Sequence, residues 1–197
     1  MIIGITGGVG CGKSTVLEIL KKDYGAKVLI ADNMGHEVMK KGGKAYPEII
    51  AAFGTTVVGD DGELNRAALA EIIYADDAKR EQLNGIIHPC VKEEIKRKLK
   101  EWEMEPFIVL ETALLFETGC DSMCDCIWGI EAEKEVRIRR LMQSRGYKRE
   151  KAEGIMKKQL SETEFRNRCD EMIENSGTPE QLRERLAHLL LGMTEKM

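Results

Sequence analysis

Apolar residues in this chain gather into short continuous runs at positions 2–6, 27–30, 107–111 and 126–130, with a weaker fifth at 171–174. Unbroken runs of this length, rich in Ile, Val and Leu, are the pattern of strands buried on both faces, and such strands belong to parallel sheets. Between them the hydrophobic period lengthens to that of a helix. The pattern predicts helices over residues 12–22, 65–74, 89–103, 133–143, 148–159 and 179–191. In the third of these, Glu93/Arg97 and Glu94/Lys98 stand four residues apart and mark a solvated face. Strands alternating with helices predict an α/β fold, a doubly wound parallel sheet of about five strands with ligands at the carboxyl ends of those strands. Two connections are too long for one crossover helix. Residues 33–106 have room for several helices and residues 131–170 hold a basic stretch, so both are predicted as insertions over the sheet.

The 197 residues, 43% hydrophobic and 32% charged, fit one folded core with an appendage and exclude a disordered chain. No apolar run approaches the roughly 18 residues of a membrane span. The N-terminal residues lack a basic segment and run directly into glycines, which reads as a buried strand and not as an export signal. Six cysteines without such a signal predict reduced thiols and a cytoplasmic location. A net charge of −4 argues against a dedicated nucleic-acid binder. That charge is uneven. From Lys134 to Lys158 ten Lys/Arg face three Glu, which makes this stretch +7 and leaves −11 for the rest. A local basic segment in an acidic protein predicts a small, highly anionic ligand.

Candidate chemistry starts immediately after the first strand. Gly7-Gly8-Val9-Gly10-Cys11-Gly12-Lys13-Ser14-Thr15 satisfies the phosphate-loop pattern G-x-x-x-x-G-K-[ST], with a strand before it and an amphipathic helix after it. Glycines let successive backbone N–H groups converge on phosphate oxygens, and the helix N-terminus adds positive potential. In that arrangement Lys13 reaches the β- and γ-phosphates of ATP, and the Ser14 hydroxyl ligates Mg²⁺. A dinucleotide fingerprint is excluded, because its third glycine would fall where Lys13 stands. The motif is a strong signal for an NTP site, against a glycine-rich turn with an incidental lysine, and is silent on what the NTP does. Asp32 follows the second strand directly, at the carboxyl edge of the predicted sheet, where it is either a helix N-cap or an acceptor-side carboxylate.

Behind this loop come Leu64-Asn65-Arg66, His88-Pro89, Leu114-Leu115-Phe116-Glu117, the basic segment ending at Gln159, and Ile173-Glu174-Asn175-Ser176-Gly177. In this order, from residue 1 to about residue 191, the chain resembles the dephospho-CoA kinases. The resemblance implies a P-loop NTPase type of sheet with a helical acceptor-binding insertion and a basic lid. It divides the chain into an ATP-binding core (1–32, 104–130 and 170–197), an acceptor region (33–103) and a lid (131–169). The implied reaction moves the γ-phosphate of ATP to the 3′-hydroxyl of dephospho-CoA. The implied partner is this small molecule; no nucleic acid, no membrane and no obligatory protein partner is expected. By the same resemblance Lys13, Asp32 and Arg140 are catalytic. ATP is contacted by Gly8, Gly10, Cys11, Gly12, Lys13, Ser14, Thr15, Arg137, Arg140 and Asn175. Asp32, His88, Leu115 and Glu117 meet the acceptor, and Ser14, with Glu111 through water, serves Mg²⁺.

The chain departs from the family pattern at Ile30, His36 and Ala113, where aspartate, arginine and proline are usual, and at Arg137, where glutamine is frequent. A second lid arginine is expected four residues after Arg140, but Ser144 stands there and Arg145 is one further, which turns a helical side chain by about 100°. Two rival readings remain open from the residues. Asp32-x-x-Gly35 and Asn167-Arg168-Cys169-Asp170 mimic regulatory-GTPase motifs, and a P-loop kinase for another small acceptor keeps the chemistry while changing the substrate. Cys120, Cys124 and Cys126 have loose metal-like spacing without a fourth ligand.

Overall fold

In the computed structural model, which describes residues 1–194, the first apolar run is the middle strand of a five-stranded sheet. Strand β1 (Ile2–Thr6) is flanked by β3 (Ile108–Glu111) and β4 (Cys126–Glu131), β5 (Glu171–Glu174) adds to β4, and β2 (Lys27–Ile30) edges β3, in the order β2-β3-β1-β4-β5. The sheet is parallel, with Gly4 beside Leu110 on one side and Ile127 on the other. β1 and β3 are nearly all buried, which is why their sequences read as unbroken apolar runs.

Contacts divide the chain into two units, Met1–Leu29 with Glu105–Met197, and Ile30–Met104. In the first unit the sheet is flanked by helices α1 (Lys13–Tyr24), α6 (Lys134–Arg145), α7 (Arg149–Lys157), α8 (Glu162–Arg168) and α9 (Pro179–Thr194). Residues 131–169 belong to this unit, and Phe116 shows one reason. Its ring lies 6.4 Å from that of Phe165 on α8 and 4.1 Å beneath the guanidinium carbon of Arg168. The second unit is helical: α2 (Ala31–Met39), α3 (Tyr46–Phe53), α4 (Arg66–Ala75) and α5 (Asp77–Glu101). They close on a separate core of Val38, Ala45, Ile49, Val57, Leu69 and Leu83.

The five strands lie where the runs predict them, to within one residue at each end. The helices differ more. The predicted helix over 89–103 is the second half of α5, which begins at Asp77 and passes through Pro89. Proline costs the bond from its own position to the carbonyl four residues back, here that of Gly85. Both Gly85 and Pro89 are exposed, so water can take the place of the missing donor. α2 starts without a connecting loop directly after β2, with Ile30 at its N-cap, and buries only Ala31 and Val38. A one-sided period is invisible with two points. α3 and α8 carry signals that periodicity ignores: Pro47 and Gly54 bracket the one, and Ser161 forms a capping box with Glu164 in the other.

Candidate active site

The loop between β1 and α1 takes its shape from three glycines with positive φ: Gly7 (145°), Gly10 (79°) and Gly12 (90°). Gly12 is the N-cap of α1, and its left-handed conformation sends the chain into the helix without a side-chain cap. The first amides of α1 therefore lack intrahelical acceptors. No acidic residue occupies the first turn, so the positive end of the helix is left uncompensated. Such a helix end is suited to an anion.

Lys13 is folded back over that loop. Its Nζ donates to the Gly7 carbonyl at 2.9 Å and lies 3.7 Å from the Glu111 carboxylate at the end of β3. The Ser14 hydroxyl is exposed in the next position of the helix. β3 and β1 are adjacent in the sheet, and this pairing alone brings Glu111 to a loop a hundred residues earlier.

Two arginines of α6 and one asparagine after β5 hold the loop from outside. Arg140 donates to the carbonyls of Cys11 (3.3 Å) and Asn175 (2.8 Å), and the buried Asn175 side chain donates to Cys11 (2.8 Å). Arg137 donates through Nε to the Val9 carbonyl at 2.9 Å and is itself buried. A Cβ at Gly8 would collide with the Arg137 guanidinium, and one at Gly12 with the Asn175 amide. Glycine at 8 thus leaves room for the Arg137 guanidinium, and glycine at 12 serves both the approach of Asn175 and the left-handed turn into α1. Beside Asn175 opens a cleft of about 270 Å³ lined by Glu174, Gly177, Thr178, Gln181, Leu182 and Arg185.

The remaining expected site residues are placed differently. Leu115 is fully buried and packs at the position of Gly4, so its side chain serves the core of the first unit and presents no surface to an acceptor. Glu117 is exposed in the turn that follows β3. α6 stops at Arg145, with Gly146 left-handed (φ 63°) after it; Arg145 is exposed, and its side chain forms no hydrogen bond or ion pair among the described residues. In the second unit, Asp32 is exposed in the first turn of α2 and makes no capping bond. His88 is half-buried on α5, and burial pushes its imidazole pKa below the ordinary value. The same unit holds a groove of about 440 Å³ with an apolar floor of Met39, Leu69, Ile73 and Ile87 and with Lys40 and Arg66 among its lining residues.

Neither GTPase-like motif has the placement a guanine site needs. Asp32-x-x-Gly35 is helical, and Asn167-Arg168 ends α8 with the arginine over the Phe116 ring. Among the described residues no group of three or more His, Cys, Asp or Glu is gathered for a metal, so Cys120, Cys124 and Cys126 form no such site. Burial lifts the Cys11 thiol, and burial with nearby negative charge lifts Cys124 to about 12 and Cys126 and Cys169 to about 11. Raising a thiol pKa from 9 to 11 lowers its thiolate fraction at pH 8 about a hundredfold. Disulfide-exchange reagents at pH 8 are therefore expected to label these four thiols slowly in the native protein, and all six at once in denaturant. Fast labelling of Cys11 in the folded protein would contradict this.

The sequence profile of the dephospho-CoA kinases matches residues 1–181. The chain belongs to the dephospho-CoA kinase family. The dephospho-CoA kinase of Moorella thermoacetica is 41% identical over 185 residues, covering 92% of this chain and 87% of that one. The crystal structure of TT1252 from Thermus thermophilus superposes with a TM-score of 0.83 at 33% identity, covering 98% and 97% of the two chains. The dephospho-CoA kinase of Campylobacter jejuni shares the fold, with a TM-score of 0.75 at 22% identity over 99% and 98%. Membership of this kinase family implies ATP use, and the phosphate-loop pattern is complete here, with Gly7, Gly12, Lys13 and Ser14 at the required positions. The resemblance implies that Arg137 contacts ATP. Here it binds the loop's own backbone. Gln159, to which the sequence assigns no role, also reaches the loop, and nothing local signals it because its partner Val9 is 150 residues away.

Proposed function

We propose that the chain transfers the γ-phosphoryl group of ATP to the 3′-hydroxyl of dephospho-CoA, giving coenzyme A and ADP. Family membership over residues 1–181, together with an intact phosphate loop, carries this reading. The bond from the γ-phosphorus to the β,γ-bridging oxygen breaks, and one forms from the 3′-oxygen to that phosphorus. Such a transition state is loose, so catalysis is mostly positioning and charge neutralisation. The first amides of α1 and the Lys13 ammonium take the phosphate charge. Lys13 is held ready by the Gly7 carbonyl and Glu111, both of which it can leave for stronger phosphate contacts. Arg140 fixes the base of the loop against the segment after β5, where the cleft beside Asn175 is the proposed place of the adenine.

Mg²⁺ fits the donors present. The Ser14 hydroxyl and the Glu111 carboxylate are hard oxygens, and Mg²⁺ is ordinarily held by one or two such groups with phosphates and water completing the shell. It would supply charge neutralisation at the transferring phosphates. Asp32, two residues beyond the end of β2, is proposed to accept the hydrogen bond of the acceptor hydroxyl and receive its proton. Residues 33–103 are proposed as the acceptor region, with the groove between α2, α4 and α5 taking the apolar arm of dephospho-CoA and Lys40 and Arg66, which line it together with Glu63, meeting the phosphates. Residues 131–169 are proposed as the lid, which excludes water from the phosphoryl group. A cytoplasmic location agrees with this substrate.

The deciding measurement is coupled ADP release with dephospho-CoA, adenosine, shikimate and dTMP as acceptors. Turnover is expected with dephospho-CoA and Mg²⁺ only, with coenzyme A as product. Faster turnover of another acceptor would move the chain to a different substrate.

A further inference from the structure

Val9, at the crown of the phosphate loop, is held by every handle it has. Its N–H donates to the Gln159 side-chain oxygen at 2.8 Å and its carbonyl accepts from Arg137 Nε at 2.9 Å. Arg137 Nη2 also donates to that Gln159 oxygen at 3.4 Å, which closes a ring of three bonds through Val9, Gln159 and Arg137. The Val9 side chain packs with Tyr147 and Met156 on the cluster of Ile138, Leu141 and Ala152, formed where α6 meets α7. Gly8 and Gly10 on either side leave no room for a Cβ: one at Gly8 would strike the Arg137 guanidinium and one at Gly10 would lie 2.9 Å from the Arg137 carbonyl. The crown of the loop is therefore shaped around Arg137.

We infer that Gln159 and Arg137 are positioning residues for phosphoryl transfer, fixing the phosphate loop in its nucleotide-binding shape by bonding the Val9 backbone from the α6–α7 segment. This deepens the proposed function, since it rests on the loop being the ATP site. The physical ground is preorganisation. Three glycines with positive φ surround Val9, and such a segment is floppy unless something outside it supplies its missing constraints. Two side chains here hold the two successive peptide groups that meet at Val9, and the Val9 amide is committed to protein. The anion is left to the amides further along, at the start of α1. A loop already in shape loses less freedom when ATP arrives, and its donors need no reorganisation in the transition state.

The test separates a hydrogen-bond acceptor from a space-filler at position 159. Gln159→Leu keeps the volume and removes the acceptor, leaving Val9 N–H and the Arg137 guanidinium without it; Gln159→Glu keeps an acceptor for both. ATP affinity, measured with a fluorescent ATP analogue, is expected to fall about 5–50-fold in the leucine variant, the scale set by leaving the half-buried Val9 donor and the Arg137 guanidinium without their acceptor. In the glutamate variant it stays within about threefold. The KM for dephospho-CoA stays within about twofold in both, since neither side chain is assigned to the acceptor. A packing role predicts the reverse order, leucine near wild type and glutamate impaired; any order other than the expected one overturns the inference. Hydrogen exchange at the Val9 amide of the nucleotide-free wild-type protein gives a readout that needs no variant. Protection is expected, and exchange at the rate of an open loop overturns the inference even if both variants fold poorly. Failure of the proposed function looks different: ADP release would not respond to dephospho-CoA, while ATP binding and Val9 protection would persist.

Discussion

Lys13→Ala is expected to lower kcat by about 10²–10³-fold or more, the scale on which single preorganised charge contacts act on a transition state. The ammonium sits over the Gly7 carbonyl and beside Glu111, so it is delivered to the phosphates by the loop itself. The fold should survive. The side chain contributes one backbone hydrogen bond and one 3.7 Å ion pair to Glu111, and it is not part of the apolar core. Melting temperature, nucleotide affinity and single-turnover transfer on one preparation separate the outcomes. A folded variant with wild-type turnover would remove Lys13 from the reaction and the phosphate loop from the site.

The second large effect is at Asp32. Asp32→Asn is expected to slow transfer by about 10²–10⁴-fold, the usual worth of a positioned acid–base group. Stability should fall by no more than about 0.3–1 kcal/mol, the value of an anion in the first turn of a helix, because the carboxylate makes no capping bond. The competing N-cap role is taken away by the structure: Ile30 is the N-cap of α2 and Asp32 is inside the helix. The neutral amide keeps the shape and can still bond to a hydroxyl, yet it cannot take a proton. Normal single-turnover transfer in a normally melting variant would dismiss Asp32 from the mechanism.

Much of the architecture was legible because it rests on short-range pattern. The strands are buried on both faces, so each is written as an unbroken apolar run, and the phosphate loop is written as glycines at fixed offsets between a strand and a helix. Helices that bury few residues or pass through a proline were not legible. α2 has two buried positions, and the start of α5 is hidden because Pro89 reads as a beginning when it is a middle. The Ser161 capping box was in the sequence, and a search for caps instead of periods finds α8.

At the site the division follows distance along the chain. Lys13, Ser14 and the glycines are neighbours in sequence, so the chemistry proposed for them rests on spacing alone, while Asp32, Glu111, Arg140 and Asn175 are proposed on the resemblance to the family's ordered motifs. The bonds of Arg137 and Gln159 to the Val9 backbone could not be read, because that partner lies 128 and 150 residues away and a backbone group leaves no signature in sequence. The same limit explains Leu115, which stands in a family motif yet is buried against β1. The sequence by itself determined the parallel sheet, the phosphate loop and the family. Only the tertiary structure decided which of the basic side chains face the loop's carbonyls and which face solvent. Sequence period records burial and local geometry, whereas a hydrogen bond to a distant peptide is set by how strands β1, β4 and β5 place their ends together.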